Sequence, residues 1–230
     1  VTTRDIDRGE FPHFLLKEIT ESPDSFRKTL RGKLVERDGR LDVVLHHDAL
    51  PEKVRSALRS GDTRRVLVIG QGTAAVAGEA LGVFLRSACA TTPLLVEALP
   101  ATELSGFGLA HKMDDTLVIA ISQSGTTTDT NRTVDLVRER GASVVAIVNR
   151  RGSDLTDKSD GVFYTSDGRD VEMSVASTKA FYSQVAAGFL LAQAIAAEVG
   201  GTVDQALLAA LRDLPTAMAE VVARRPTIAE

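Results

Sequence analysis

Short apolar runs alternate with amphipathic segments from residue 64 onward. Helical periodicity fills most of the stretches between the runs, which cover residues 66–69, 94–96, 117–121, 144–148 and 162–164. Such alternation is typical of parallel strands joined by helical crossovers. It predicts an α/β fold, a three-layer sandwich in which flanking helices cover a five-stranded, doubly wound parallel sheet of flavodoxin-like order.

The pattern before residue 60 is different. Apolar residues recur at helical spacing on both sides of Pro23, which predicts two short helices. Residues 31–48 mix glycines with alternating apolar positions and predict turns or a short edge strand. Pro51 suits the first turn of a helix that ends at Ser60, with Asp48 as a possible cap.

We expect three units from this organisation. Residues 1–60 would form a helical extension that packs on the sheet domain, and residues 61–200 would form that domain. Residues 201–230 have the pattern of an amphipathic helix, and we expect this helix to lead toward a further domain that is absent from the sequence.

One helical segment is unusually apolar. Residues 180–197 contain no charged side chain, and their number approaches the ~20 residues that span a bilayer. Ser183, Gln184 and Gln193 interrupt the segment, and alanine is more frequent in it than leucine and isoleucine together. We therefore expect a helix buried in the centre of the domain and no membrane association.

Composition narrows the classes of partner. The net charge is −4 and there is no basic run, so we expect no nucleic-acid binding. The single cysteine, Cys89, cannot form an internal disulfide and is interpreted as a core residue of an apolar helix. Residues 1–5 lack the apolar core of a signal peptide, which favours a cytoplasmic location. The charge balance favours a small-molecule partner.

Four candidate chemical groups have weak support. His46 and His47 lack spaced carboxylate or cysteine partners, so we expect no metal site. His111 and Lys112 precede the third apolar run and should lie at the edge of the sheet opposite a ligand. We interpret both as surface residues.

The third apolar run leads directly into hydroxyl and amide side chains, Ser122-Gln123-Ser124-Gly125-Thr126-Thr127. A turn at the carboxyl end of a parallel strand lies where ligands bind, and the next helix directs its free N–H groups toward it. An ordinary helix cap needs fewer hydroxyl groups than this turn contains. The turn therefore predicts a phosphate site, with simple capping as the alternative.

Two further polar turns, residues 70–74 and 174–179, should lie at the same edge of the sheet. The first begins the pattern G-x-G-x-x-A at Gly70, and Glu97 near the end of the second strand could hold a ribose. A nicotinamide-dependent dehydrogenase is thus an alternative, although it gives the hydroxyl turn no role. We expect no cofactor.

The three turns together resemble the sugar isomerase (SIS) domain of glutamine–fructose-6-phosphate aminotransferases. The similar segments are the hydroxyl turn through Thr130, the preceding Gly72-Thr73, and the later Val175-Ala176-Ser177-Thr178-Lys179-Ala180-Phe181. His13 and Lys17-Glu18-Ile19 resemble the segment before the first SIS domain, and the C-terminal helix resembles the linker to the second. The resemblance covers nearly the whole chain and implies the first of two tandem SIS domains.

The resemblance implies two groups of substrate-binding residues. Those around the phosphate are Ser122, Gln123, Ser124 and Thr127, with Gly72 and Thr73 on the facing turn. Those on the sugar side are Val175 and Ser177, partly through backbone groups, with Lys179 beside them. Lys179 would serve near an anion or carboxylate, or would reach to solvent.

Some positions depart from the family pattern. Ala74 replaces a serine that often contacts the phosphate, and Thr126 stands where the family often has glutamate. No catalytic residue is assigned. Glu172 is the one carboxylate near the expected pocket, either as a base on an enediol pathway or as an acceptor of backbone hydrogen bonds.

The implied activity converts fructose 6-phosphate and glutamine to glucosamine 6-phosphate and glutamate. The family places its glutaminase and its isomerase acid and base groups on other parts of the protein, so this chain would be incomplete alone and would form a homodimer. The alternatives are a non-catalytic phosphosugar sensor and a related phosphosugar deglycase or isomerase.

Overall fold

A computed structural model describes residues 7–174 and 176–228. In chain order the elements are α1 Phe14–Leu30, β1 Leu34–Arg37, β2 Arg40–Val43, α2 Glu52–Ser60, β3 Arg65–Gly70, α3 Thr73–Ala88, β4 Leu95–Pro100, α4 Ala101–Glu103, β5 Thr116–Ser122, α5 Thr128–Arg138, β6 Ser143–Val148, α6 Asp154–Lys158, β7 Gly161–Tyr164, α7 Lys179–Glu198, α8 Gln205–Ala223 and α9 Arg225–Ile228. A π-helical turn, Leu104–Gly108, continues α4, and a 3-10 turn, Thr165–Gly168, follows β7.

The five-stranded sheet has the order β4-β3-β5-β6-β7, and all its neighbouring strands are parallel. The chain leaves β3 toward one edge and returns to β5 on the other side of β3. This places the topological switch between β3 and β5, where open α/β sheets bind ligands. The predicted α/β class and flavodoxin-like order are confirmed.

Alternate residues of the strands supply two apolar clusters, one on each face of the sheet. Val66 and Val68 pack under α1, α2, α3, α7 and α8, whereas Leu67 and Ile69 pack under α4, α5 and α6. All seven residues of β5 are buried. Strands covered on both faces contain apolar residues at consecutive positions, and this explains why the sheet was evident as unbroken runs.

α1 corrects the prediction of two short helices, because it is one helix that continues through Pro23. A proline inside a helix removes one backbone hydrogen bond. Its cost is offset here by burial, since Pro23 and Phe26 lie in the interface between α1 and the rest of the domain. At its start, His13 Nδ1 accepts a hydrogen bond from the N–H of Leu16 at 3.2 Å.

The segment after α1 forms an antiparallel hairpin of β1 and β2, separate from the main sheet. Asp38 and Gly39 both have positive φ, as a two-residue hairpin turn requires. The expected cap of α2 is also corrected. α2 begins after Pro51, and Asp48 instead pairs with His46 and His47, each at 3.1 Å.

α7 is the central helix of its layer and packs between α1 and α3. Among the described residues it is the one helix long and apolar enough to cross a membrane, yet 78% of its most apolar window is buried within the fold. Gly188 lets α3 approach, since a Cβ there would lie 3.1 Å from the Cβ of Leu81. The expected buried helix is therefore the one observed.

Two termini of helices complete this layer. Cys89 follows the last residue of α3 and is buried. Burial raises the pKa of its thiol, although a hydrogen bond with Thr92 acts to lower that pKa. At the other end of the chain, Asp204 caps α8 by accepting a hydrogen bond from the N–H of Leu207 at 3.0 Å. α8 packs against α1 through a face that includes the buried Leu208.

Candidate functional site

The turn after β5 is built by its own side chains. Ser122 is buried, and its Oγ accepts a hydrogen bond from the N–H of Gly125 at 3.0 Å. The same Oγ lies 3.0 Å from Thr127 Oγ1. Ser124 Oγ accepts hydrogen bonds from the N–H of Thr126 at 3.2 Å and from its hydroxyl at 3.0 Å. These contacts join Ser122 to Thr127 and Ser124 to Thr126 within one turn at the end of β5.

Gly125 allows the turn to close. It has a φ of +66°, and a Cβ at this position would overlap Ser153 Oγ and lie 3.1 Å from Val148 Cγ2. Asn131 fixes the carbonyl side, because its Nδ2 donates to the Gly125 carbonyl at 3.1 Å and to the Thr127 carbonyl at 3.0 Å. A residue with a side chain at position 125 would therefore disrupt the turn.

The turn can accept an anion at the start of α5. Thr127 is the N-cap of this 11-residue helix and makes no side-chain cap bond. The first backbone bond of the helix runs from the N–H of Asn131 to the carbonyl of Thr127. The preceding N–H groups carry the positive end of the helix dipole. Gln123 Oε1 and Thr130 Oγ1 are buried without a hydrogen-bond partner among the described residues, so the turn retains unused polar capacity.

The turn after β3 lies beside this one, because β3 and β5 pair in parallel register from Arg65 with Thr116 to Ile69 with Ala120. Gly72 has a φ of +59° and precedes the first helical residue, the exposed Thr73. A Cβ at Gly70 would lie 2.7 Å from the carbonyl carbon of Ala74. The glycine pattern here provides a tight strand-to-helix turn, as well as placing Thr73 at the ligand edge.

Glu172 closes the third turn by capping α7. Its Oε1 accepts hydrogen bonds from the N–H of Thr178 at 2.7 Å, the Thr178 hydroxyl at 2.9 Å and the N–H of Ala180 at 3.3 Å. Its Oε2 accepts from the Ser177 hydroxyl at 3.2 Å. Of the two roles expected for Glu172, this geometry is that of an acceptor of backbone hydrogen bonds. Val175 lies outside the described residues.

Lys179 lies in a different cavity from the turn after β5. Its side chain is 5% exposed, and its Nζ lies 2.6 Å from Glu21 Oε2. Both residues line a polar cavity of about 200 Å³ together with Lys17, Lys28 and Asp170. The carboxylate near Lys179 thus belongs to α1, which the sequence analysis did not identify as a partner of this residue.

A larger cavity of about 690 Å³ opens beside the turn after β5. It brings two predicted residues of that turn together with Glu172, and its lining is Gln123, Ser124, Asn149, Arg150, Arg151, Gly168, Arg169, Asp170, Val171 and Glu172. Sequence reasoning missed the residues contributed by the turn after β6. Their position at the carboxyl end of a predicted strand was the available signal.

Arg151 and Asn149 of this larger cavity are fixed by contacts of different kinds. Arg151 stacks on Tyr164 with 4.3 Å between its Cζ and the ring centroid, and its Nη2 donates to the Asp167 carbonyl at 3.0 Å. Asn149 donates through Nδ2 to the Thr165 carbonyl at 3.1 Å. The three arginines of the lining, Arg150, Arg151 and Arg169, outnumber its two carboxylates, Asp170 and Glu172, so the formal charge of the lining is positive.

Buried hydroxyl groups connect α1 to the turn after β7. Ser25 Oγ lies 2.7 Å from Ser166 Oγ and 2.8 Å from Ser183 Oγ, and Ser166 Oγ donates to Asp170 Oδ2 at 2.7 Å. Burial alone would raise the pKa of Asp170. Hydrogen bonds from Ser25 and Ser166, with the charges of Lys179 and Lys28, outweigh burial and lower that pKa below its ordinary value.

The remaining candidate groups lie apart from these cavities. His111 and Lys112 are exposed. The sequence analysis found no carboxylate for His46 and His47, but the structure places Asp48 against both, with the three candidate ligand atoms within 4.8 Å of one another. All three residues are solvent-exposed, and their side chains satisfy one another.

Comparison with known proteins gives consistent results. Residues 61–194 match the family model described as SIS domain. The glutamine–fructose-6-phosphate aminotransferase (isomerizing) of Corynebacterium efficiens is 37% identical over 227 residues, which are 94% of this chain and 33% of that protein. Its counterpart in Thermus thermophilus is 35% identical over 228 residues, covering 97% and 35% of the two chains. The chain thus spans about one third of the length of these curated relatives.

Solved structures extend the similarity to the fold. The C-terminal domain of glucosamine-fructose-6-phosphate aminotransferase from Francisella tularensis has a TM-score of 0.72 and 25% identity, with 94% of this chain and 55% of that chain covered. Glucosamine-6-phosphate deaminase from Thermotoga maritima has a TM-score of 0.59 and 19% identity, with 94% and 54% covered. The second of these similarities concerns the fold alone.

Proposed function

The chain belongs to the SIS domain family, and on that premise we propose that it binds the phosphate of a hexose phosphate at residues 122–127. The observation that carries the proposal is the contact between the Ser122 and Thr127 hydroxyls at the end of β5, just before α5, with the Ser124 hydroxyl in the same turn. A phosphate accepts hydrogen bonds from both kinds of donor, and charge-assisted bonds contribute about 1.5–3 kcal/mol each.

We further propose that the chain is the first of two SIS domains in a glutamine–fructose-6-phosphate aminotransferase. Fructose 6-phosphate would be its substrate and glucosamine 6-phosphate the product of the complete protein. The support is that the relatives from Corynebacterium efficiens and Thermus thermophilus match 94% and 97% of the chain, while the chain covers only 33% and 35% of them. The glutaminase, the second SIS domain, the homodimer and the cytoplasmic location belong to this proposal.

In the proposed arrangement, residues 61–200 form the sugar-binding domain, residues 1–60 pack on it and residues 201–230 lead to the second domain. The facing turn of Gly72 and Thr73 contributes to the phosphate side. Val175 and Ser177 contribute to the sugar side, and Lys179 supports this side through its ion pair with Glu21.

A phosphosugar-sensing module is the second candidate. It is favoured by one observation: both oxygens of Glu172 accept hydrogen bonds from residues 177–180, so this carboxylate is engaged in holding a turn. A general base must reach the proton that it removes. This geometry supports binding without chemistry by this chain.

Calorimetric titration tests the ligand class. Fructose 6-phosphate and glucosamine 6-phosphate should bind, and fructose and glucosamine should bind far more weakly. Ser122→Ala and Ser124→Ala should each weaken phosphosugar binding by roughly tenfold or more, because each removes a hydroxyl from the turn.

Ser56→Ala is the matched control, since Ser56 is an exposed serine on α2 whose hydroxyl donates to Glu52. It should bind the phosphosugars as the unmodified chain does. Equal affinity for phosphorylated and plain sugars, or unchanged affinity in both Ser122→Ala and Ser124→Ala, would show that the phosphate is not bound at this turn.

A further inference from the structure

Glu18 is a buried carboxylate on α1 that the proposed phosphate site does not use. It is 2% exposed, although α1 lies before the sheet domain in the sequence. Lys17, its neighbour in the sequence, and Lys179 both pair with Glu21 instead. A buried carboxylate needs strong hydrogen-bond donors to offset its lost hydration.

The donors to Glu18 come from the loop before α7. Its Oε1 accepts hydrogen bonds from the N–H of Met173 at 2.5 Å and from the N–H of Ser174 at 3.2 Å. Its Oε2 accepts from the Ser174 hydroxyl. These partners are 155 and 156 residues away in the chain, so the contact is a tertiary one and cannot arise from local turn formation.

Glu18 and Glu172 hold different parts of the same loop. Glu172 accepts from residues 177, 178 and 180 at the start of α7. Glu18 accepts from residues 173 and 174, on the other side of residue 175. The two carboxylates therefore fix the backbone both before and after the segment that the proposed function assigns to the sugar.

We propose that Glu18 is a positioning residue for the sugar side of the site. It acts through Met173 and Ser174, holds the loop that leads to Ser177, and leaves the turn at residues 122–127 unaffected. This inference rests on the proposed function for the identity of the ligand. It makes α1 a component of the binding site, even though α1 precedes the sheet domain.

The test compares two ligands that share only the phosphate. Fructose 6-phosphate and inorganic phosphate are titrated calorimetrically into the unmodified chain, Glu18→Ala, Glu18→Gln and Asp24→Ala. Glu18→Ala should weaken fructose 6-phosphate binding by roughly tenfold or more and change phosphate binding less than about twofold. Glu18→Gln keeps an acceptor oxygen for the two backbone N–H groups and should recover most of the affinity.

Asp24→Ala is the control for loss of a carboxylate from α1. Asp24 is 72% exposed and pairs with Arg27 within the helix, so this variant should bind both ligands normally. Ser174→Ala covers the case in which Glu18→Ala fails to fold. It removes only the hydroxyl donor, and we expect a loss of about threefold for fructose 6-phosphate alone.

Amide hydrogen exchange provides a reading that needs no ligand. Exchange at Met173 and Ser174, whose N–H groups donate to Glu18, should accelerate by about tenfold in Glu18→Ala and remain slow in Asp24→Ala. Unchanged exchange, or equal weakening of phosphate and fructose 6-phosphate, would overturn the inference. If exchange accelerates but the unmodified chain binds no fructose 6-phosphate, the proposed ligand is wrong and the sugar-positioning role is overturned with it.

Discussion

The turn at residues 122–127 and the loop at residues 165–178 both contribute to the larger cavity, but they are held in different ways. In the first, Ser122, Ser124 and Thr127 bond to groups within five residues of themselves. In the second, Ser166 and Ser174 bond to α1 across 141 and 156 residues. The proposed phosphate side is thus held largely by bonds within the turn, together with backbone bonds from residues 149, 150 and 155, whereas the proposed sugar side also depends on side chains of α1.

This difference separates two kinds of function within one site. A turn whose side chains bond mainly to one another depends little on α1 for its shape. A loop whose shape depends on a distant helix changes whenever that helix changes. The proposed phosphate contacts should therefore tolerate substitutions in α1, and the sugar contacts should not.

Gly125→Ala should have the largest effect, because it adds a side chain inside the self-contained turn. The positive φ alone costs an L-residue about 1–2 kcal/mol, and overlap with Ser153 raises the expected destabilisation to roughly 3 kcal/mol or more. Thermal unfolding should show a Tm lower by about 6–12 °C, with phosphosugar binding lost.

Gly61→Ala separates the two causes. Gly61 has a φ of +78°, but no atom lies within 4 Å of where its Cβ would be. We expect only the conformational cost of about 1–2 kcal/mol. Equal destabilisation by the two substitutions would contradict the close approach between the turn and Ser153.

Ser25→Ala should have an intermediate effect and act on the tertiary side of the comparison. It removes the hydroxyl that lies between Ser166 and Ser183, and the loss of buried hydrogen bonds costs about 1–3 kcal/mol. We expect a Tm lower by about 2–8 °C and faster amide exchange in residues 165–174.

Ser22→Ala is the control on the same helix. Ser22 is also buried, but its hydroxyl donates only to the Glu18 carbonyl one turn earlier, at 3.0 Å. Such bonds within a helix add little stability. The contrast fails if the two serine variants have the same Tm or the same exchange in the loop.

Asp170→Asn should have the smallest effect, visible as a pH dependence. The lowered pKa of Asp170 means that its ionised form stabilises the folded state at neutral pH. This contribution is present above the ordinary aspartate pKa of about 4 and is lost as pH falls through the lower folded value. Chemical denaturation below pH 4 should give a smaller fall in unfolding free energy for Asp170→Asn; an equal fall would argue against the role of Asp170.

The same division explains what could be predicted from the sequence. Runs such as residues 117–121 and 144–148 identified the sheet because strands buried on both faces have apolar side chains at consecutive positions. The polar turn after β5 was evident because its donors and acceptors are neighbours in the chain. In contrast, the path of α1 through Pro23 depends on packing with α7, and propensity alone favours a break there.

Tertiary partners were harder to predict. Nothing near Lys179 in the sequence indicates Glu21, and nothing near Ser174 indicates Glu18. Asn149 and its neighbouring arginines could have been found by treating every strand end alike, since β6 ends at the same edge as β5. Their side chains are not hydroxyl-rich, and this is why the turn after β6 received no functional interpretation.

The hydroxyl contact between Ser25 and Ser166 also has a consequence in time. During synthesis α1 leaves the ribosome 141 residues before the serine that it must meet. At ~5–20 residues per second this interval is roughly 7–30 s, far longer than a helix needs to form. During this interval the carboxylate of Glu18 and the hydroxyl of Ser25 remain hydrated. The contacts between α1 and the loop at residues 165–174 therefore form late in synthesis.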